Sequence, residues 1–119
     1  MEVNGLNFNL GDSRMKKKLR VGMIGYGFMG KAHTNAFRQA AKFFPDLPYE
    51  PELKIFCARN KDRASQFASN WGYEKVVTDW REVVESNEID LIDICAPNNM
   101  HREIAVAAAE KGKWVLTEK

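Results

Sequence analysis

The chain has 119 residues, enough for one domain and too few for two. Apolar residues make up 45% and charged residues 29%, which excludes whole-chain disorder, and no run approaches the roughly 20 uncharged apolar residues of a membrane span. Eighteen Lys and Arg against sixteen Asp and Glu leave +2, too balanced to point to nucleic acid or an acidic membrane surface as partner.

Residues 1–18 read as a leader without fixed structure: Met1 to Arg14 has no helical period, and Lys16-Lys17-Lys18 follows. Leu6, Phe8 and Leu10 alternate, which leaves room for an added edge strand. A second Met, at 15, precedes the first convincing strand, so the segment also reads as an extension or a misassigned start. No apolar stretch followed by small residues marks a secretory signal. Two cysteines cannot build a disulfide framework, and no Cys-x-x-Cys or Cys/His cluster suggests a metal site. The expected setting is the reducing cytoplasm.

From Leu19 the pattern is regular. Leu19–Ile24 is a short apolar run ending in glycines, as expected of a strand buried on both faces. Met29, Ala32, His33, Ala36, Phe37, Ala40 and Phe44 recur at steps of three and four, the inner stripe of an amphipathic helix. Pro45, Pro48 and Pro51 are expected to end it in a stiff loop. Leu53–Ala58 reads as the second strand. Asn60 is the expected cap of a helix whose inner face is Ala64, Phe67, Ala68 and Trp71 and which Gly72 ends.

Lys75–Val77 is a brief third strand, and Asp79 with Glu82 has capping-box spacing before a short helix through Val83 and Val84. Asp90–Cys95 is the fourth strand. Asn98 or Asn99 is the expected cap of a helix with Ile104, Ala105 and Ala108 inward, closed by Lys111-Gly112. Lys113–Leu116 is the fifth strand. Strands alternating with helices imply an α/β fold: a doubly wound parallel sheet of about five strands, most of a dinucleotide-binding Rossmann domain over residues 19–119. Cys57 and Cys95 fall in these strands and are expected to be small core residues.

Gly25-Tyr26-Gly27-Phe28-Met29-Gly30 is G-x-G-x-x-G, leaving a buried strand and opening an amphipathic helix. Gly25 allows the tight turn, Gly27 lets a pyrophosphate approach the backbone, and Gly30 lets helix pack closely on strand. The helix start offers unpaired N–H groups and a partial positive charge to a diphosphate. The tip of the second strand, Cys57-Ala58-Arg59-Asn60, lacks the carboxylate that usually holds the ribose hydroxyls of NAD. Arg59 could instead pair with a 2′-phosphate or stack on adenine, and Asn60 could bond the ribose. The expected cofactor is NAD(P), with NADP slightly favoured. Ala96-Pro97-Asn98-Asn99 lies at the carboxyl end of the fourth strand, where ligands collect. His101 follows in the next helix; alone, it reads equally as a neutral side chain packing the turn.

Val21–His33 (VGMIGYGFMGKAH), Thr78–Val84 (TDWREVV), Ile89–His101 (IDLIDICAPNNMH) and Ala109–Lys119 (AEKGKWVLTEK) together resemble the N-terminal domain of the Gfo/Idh/MocA oxidoreductases. The resemblance implies that Gly25 to Gly30 hold the pyrophosphate. It places Pro97 and Asn98 beside the nicotinamide and its ribose, with His101 close behind. It identifies Glu118-Lys119 with the start of a Glu-Lys-Pro signature, in which Glu118 fixes the cofactor ribose and Lys119 touches both that ribose and the substrate hydroxyl. Lys119 is therefore the catalytic residue that the resemblance implies, orienting the hydroxyl or assisting its proton loss.

The resemblance also implies a reversible hydride transfer between nicotinamide and a sugar or polyol hydroxyl, carried out by a homo-oligomer. The family's second, α+β domain supplies substrate binding, further catalytic side chains and the oligomer interface, and it lies beyond these residues. The chain alone is expected to bind dinucleotide weakly and to turn over little or nothing. A sheet edge uncovered at the fifth strand would promote self-association. The alternative is a non-catalytic dinucleotide-binding or assembly module.

Overall fold

The computed structural model describes residues 17–25 and 27–117. The leader through Lys16, Tyr26, Glu118 and Lys119 lie outside the described residues. Nine elements alternate: β1 (Lys17–Ile24), α1 (Gly27–Phe43), β2 (Tyr49–Cys57), α2 (Lys61–Trp71), β3 (Lys75–Val77), α3 (Trp80–Glu85), β4 (Leu91–Ile94), α4 (Asn98–Glu110) and β5 (Trp114–Thr117). All pairings are parallel and the strand order is β3-β2-β1-β4-β5. This is the doubly wound Rossmann arrangement, with the order reversing at β1.

Two cores result from the twofold alternation of strand side chains. Val21 and Met23 join Leu53, Phe56, Ala64, Phe67 and Tyr73 on the face covered by α2, with Phe37 of α1 alongside. Ile24 joins Ile55, Ile92, Ile94, Val83, Val84 and Ile104 on the face covered by α3 and α4. Phe56 stacks on Phe67 at 4.5 Å between ring centroids. Gly22 faces α3, and a Cβ there would stand 2.5 Å from Val83 Cγ1, so α3 sits closer to β1 than any side chain would allow. At the amino end of the sheet, Arg20 grips Asp90 through Nε to Oδ2 (3.0 Å) and Nη2 to Oδ1 (2.9 Å). Those bonds hold the Asp90 carboxyl below its ordinary range. Their stabilising effect is present above the carboxylate's unfolded pKa and fades as pH falls through the lowered folded value.

The structure departs from the sequence expectations in four places. β1 begins at Lys17, so the last two residues of the expected leader are strand. Pro51 belongs to β2 instead of the loop, opposite Leu19 of β1. Because β3 pairs only with Ile55–Cys57, that end of β2 has no described neighbour on its other side, and a missing N–H is tolerated there. α1 is rotated from its expected stripe: Met29, Ala32 and Ala36 are exposed, Gly30 and Thr34 are buried, and His33 and Phe37 are half-buried. Thr34 tolerates burial because its hydroxyl bonds Tyr73 Oη at 2.8 Å. Finally, neither Asn98 nor Asn99 caps α4. Pro97 occupies that position with no side-chain bond, its carbonyl accepting from Met100 N at 2.9 Å.

The other caps follow the sequence. Asn60 Oδ1 accepts from Arg63 N at 3.0 Å, and Gly72 ends α2 in the left-handed region at φ +89°. Asp79 caps α3, though through Arg81 N at 3.0 Å and not through Glu82.

Candidate functional site

A cleft of about 580 Å³ opens where the carboxyl ends of the central strands meet, at the point where the strand order reverses. Three backbone bonds fix its floor. Gly25 N donates to Cys57 O (2.8 Å), Ala58 N to Val77 O (3.3 Å) and Cys95 N to Ile24 O (2.7 Å). The strand ends are thereby locked side by side beneath the ligand space.

The two lining glycines of the motif have different physical reasons. Gly25 has φ +92°, and a Cβ there would lie 2.7 Å from Ala96 N and from the Cys95 carbonyl carbon. It is the point where β1's exit crosses the β4–α4 turn, and no side chain fits. Gly27 has φ +85°, yet a Cβ there would meet nothing within 4 Å. Its bare backbone faces open cleft, which is the room a pyrophosphate needs beside the first N–H groups of α1. Gly30 is buried where α1 packs on the sheet.

Arg59, Asn60, Ala96 and Pro97 line the cleft with Gly25 and Gly27, as expected. Arg59 leaves the β2 tip and reaches across to Met100 of α4, Nη2 to Sδ at 4.0 Å. Asn60 spends its Oδ1 on the α2 cap, which leaves its amide N–H groups for a ribose oxygen. Phe28, Met29 and Asn98 project into solvent, so Phe28 and Met29 can serve a ligand only through their backbone N–H groups.

His101 does not line the cleft. Its Nε2 bonds the Ala96 carbonyl, and its Nδ1 lies 2.9 Å from Thr117 Oγ1. A carbonyl only accepts, so Nε2 carries the proton, and in the neutral ring Nδ1 accepts from the threonine hydroxyl. The ring clamps the β4–α4 turn to β5. Tyr26, Glu118 and Lys119 are outside the described residues.

Ile24, Cys57, Ala58, Thr78, Trp80, Cys95 and Met100 also line the cleft and were not expected there. Thr78 follows β3 at the same rim as the other strand ends, so the topology could have supplied it; Trp80 sits in α3, whose period gave it no distinction. Cys57 is a core residue, its thiol pushed up to about 12 by burial and by Asp79 and Glu82. Cys95 is half-buried: it packs against the core around Val21, Met23 and Phe56 and also forms part of the cleft wall. Below it, Asp93 is wholly buried and bonds His33, Oδ2 to Nδ1 at 2.8 Å.

The profile of an oxidoreductase family with an NAD-binding Rossmann fold, Gfo/Idh/MocA, matches residues 19–119. The chain belongs to the Gfo/Idh/MocA family. It is 42% identical over 103 residues to a levoglucosan dehydrogenase of Pseudarthrobacter phenanthrenivorans, covering 87% of this chain and 26% of that protein. It is 31% identical over 107 residues to a scyllo-inositol 2-dehydrogenase (NAD(+)) of Bacillus subtilis, covering 88% and 29%. A solved levoglucosan dehydrogenase in complex with NADH superposes with a TM-score of 0.84 at 42% identity, over 87% of this chain and 28% of that one.

The chain thus spans about a quarter of the length of these relatives, and the matched part is the NAD-binding oxidoreductase domain. The Gfo/Idh/MocA cofactor fits the residues present: the space at Gly27 is one that a side chain would occupy, and the cleft lies in the volume range of small-molecule sites. Among the described residues no helix is long and apolar enough to cross a membrane.

Proposed function

We propose that this chain is the cofactor-binding part of an NAD(P)-dependent oxidoreductase that moves a hydride between nicotinamide and a sugar or polyol hydroxyl. The observation that carries the reading is the open, positive-φ backbone at Gly27 facing a cleft at the switch point of the sheet. The named substrates of the relatives, levoglucosan and scyllo-inositol, support the sugar and polyol class. When bound, the nicotinamide supplies the hydride chemistry. This chain's own residues bind and orient it. The glycine turn receives the pyrophosphate, Arg59 and Asn60 take the adenosine ribose, and Ala96-Pro97 forms the wall toward the nicotinamide. In the sequence Glu118 and Lys119 directly follow β5. Glu118 is assigned to the cofactor ribose, and Lys119 is the group proposed to steer the reacting hydroxyl.

Arg59, with no carboxylate at the β2 tip, favours a 2′-phosphate over a free 2′-hydroxyl. The solved relative holds NADH, so the margin is small. Calorimetric titration is expected to show binding of both cofactors, NADPH tighter by about fivefold, roughly 1 kcal/mol for a solvent-exposed charge-assisted contact. Arg59→Ala is expected to erase that ratio and leave NADH binding nearly unchanged. Folded protein giving no heat with either cofactor would overturn the reading. Equal loss of both in Arg59→Ala would overturn the NADP preference.

The chain alone is proposed to bind cofactor without turnover, in the reducing cytoplasm that suits its two free thiols. The whole protein is proposed to be a homo-oligomer. β5 is an edge strand among the described residues, with Trp114 and Leu116 exposed and Val106 of α4 exposed nearby. Such an edge is expected to pair copies of the chain, so light scattering should give a mass above the 13.6 kDa monomer. A monomer at every concentration would contradict it. The second reading, a non-catalytic dinucleotide-binding or assembly module, predicts the same binding but no role for Lys119. Catalysis by the longer protein that is lost in Lys119→Ala favours the enzyme.

A further inference from the structure

His33 of α1 and Asp93 and Cys95 at the end of β4 are about sixty residues apart in sequence, yet their donor atoms all lie within 4.8 Å of one another. Asp93 Oδ2 is 2.8 Å from His33 Nδ1, Cys95 Sγ donates to Asp93 Oδ1 at 3.4 Å, and Sγ is 3.7 Å from Nδ1. The geometry points to a binding site for a borderline-soft divalent cation of the zinc or cobalt class, held by His33 Nδ1, the Asp93 carboxylate and the Cys95 thiolate.

Three observations support it. The spacing is close to what coordination needs. Metal–N and metal–O bonds of about 2.0 Å and a metal–S bond of about 2.3 Å at tetrahedral angles put donors roughly 3.3–3.5 Å apart. The His33 Nδ1–Asp93 Oδ2 pair must open by about 0.5 Å, and because Cys95 faces Oδ1, the carboxylate must bind through both oxygens or turn so that one of them meets both partners. The charge also fits: carboxylate plus thiolate balance a divalent ion, so occupancy buries no net charge in a place where Asp93 is wholly inaccessible. Finally, Cys95 forms part of the cleft wall, which gives an ion a route from solvent, and three protein ligands leave a fourth coordination position for water. On binding, the Cys95 thiol proton leaves to solvent, and the proton that His33 Nδ1 donates to Asp93 moves to Nε2, so that Nδ1 coordinates. Mixed N, O and S donors discriminate against magnesium and calcium.

Cobalt(II) chloride titrated into the reduced 119-residue chain tests this without any dinucleotide. The expected result is a thiolate-to-cobalt charge-transfer band that saturates at one ion per chain. Zinc should displace it, magnesium should not, and the affinity should weaken as pH falls because the thiol proton competes. Cys95→Ser keeps a hydrogen-bond donor toward Asp93, so the fold is expected to survive while the band disappears. Cys57→Ser is expected to leave the band intact. His33→Gln should weaken the ion by about 100-fold, since even partners outside the coordination sphere are worth about 10–100-fold. Circular dichroism establishes folding of each variant. The proposal is overturned if the parent chain gives no band, which leaves the three residues a hydrogen-bonded group only. It is equally overturned if the band follows Cys57 instead of Cys95, or if His33→Gln binds as tightly as the parent.

Discussion

Gly27→Ala is expected to weaken dinucleotide binding about 100-fold while costing the fold little, and Gly25→Ala is expected to act first on the fold, destabilising the chain by about 3 kcal/mol. At Gly27 the only structural penalty is a side chain at φ +85°, about 1–2 kcal/mol, because nothing lies within 4 Å of the added Cβ. That methyl group would instead stand in the cleft where the pyrophosphate meets backbone N–H groups. Losing two charge-assisted bonds of about 1.5 kcal/mol each amounts to the 100-fold. At Gly25 the same left-handed penalty adds to contacts of 2.7 Å with the backbone of Cys95 and Ala96. Overpacking against backbone costs about 1–3 kcal/mol more. The sum, about 3 kcal/mol, is a large part of the roughly 5–15 kcal/mol that holds a domain together. Urea denaturation and calorimetry with NADPH on both variants separate the two effects. Unchanged NADPH affinity in a folded Gly27→Ala chain would remove the pyrophosphate from that turn. An unshifted denaturation midpoint in Gly25→Ala would show that the β4–α4 turn can yield.

The contrast between these glycines was legible in the sequence only in part. The motif and its place between strand and helix are sequence facts, because buried parallel strands read as uninterrupted apolar runs and glycine marks their exits. Five strands, the helices between them and a doubly wound parallel sheet all followed from that alternation. Where reading failed, a residue was held by a partner distant in sequence. Pro51 is strand because β3 is too short to reach it, a fact about a neighbour. Thr34 replaces Ala32 and Ala36 on the buried face of α1 because Tyr73 satisfies its hydroxyl. Hydropathy ranks threonine below alanine and so turned the predicted stripe the wrong way. Pro97 took the cap position expected of an asparagine, since a proline fixes its own φ and the turn needs no side-chain bond to hold it. The cofactor cleft showed the same division. Its backbone contributors were visible as glycines and strand tips, whereas Trp80 and Met100 come from helices whose facing depends on the assembled sheet.

His33→Leu is expected to destabilise the metal-free chain by about 3 kcal/mol, and a second change, Asp93→Val, is expected to restore most of that loss. Asp93 has no accessible surface and His33 little. Removing the imidazole alone deprives a buried carboxylate of its 2.8 Å donor, which in this setting costs about 3–5 kcal/mol. The lower end applies because the Cys95 thiol still donates to Oδ1. For a domain of this size, 3 kcal/mol corresponds to a fall in melting temperature of at least about 10 °C. Replacing both partners with apolar side chains removes the buried charge and costs only the weak Cys95 thiol bond to Asp93, an exchange that is often near neutral. Val at 93 also suits a strand that continues Leu91 and Ile92 into the core. The double variant in the presence of chelator should therefore lie within about 1 kcal/mol of the parent, a coupling of at least roughly 2 kcal/mol once the cost of Asp93→Val alone is added. If the two losses simply add, the pair is not what sustains the Asp93 charge. The carboxylate would then owe its burial to other donors, and α1 would be held to β4 by packing around Phe37 and Gly30 instead of through the imidazole.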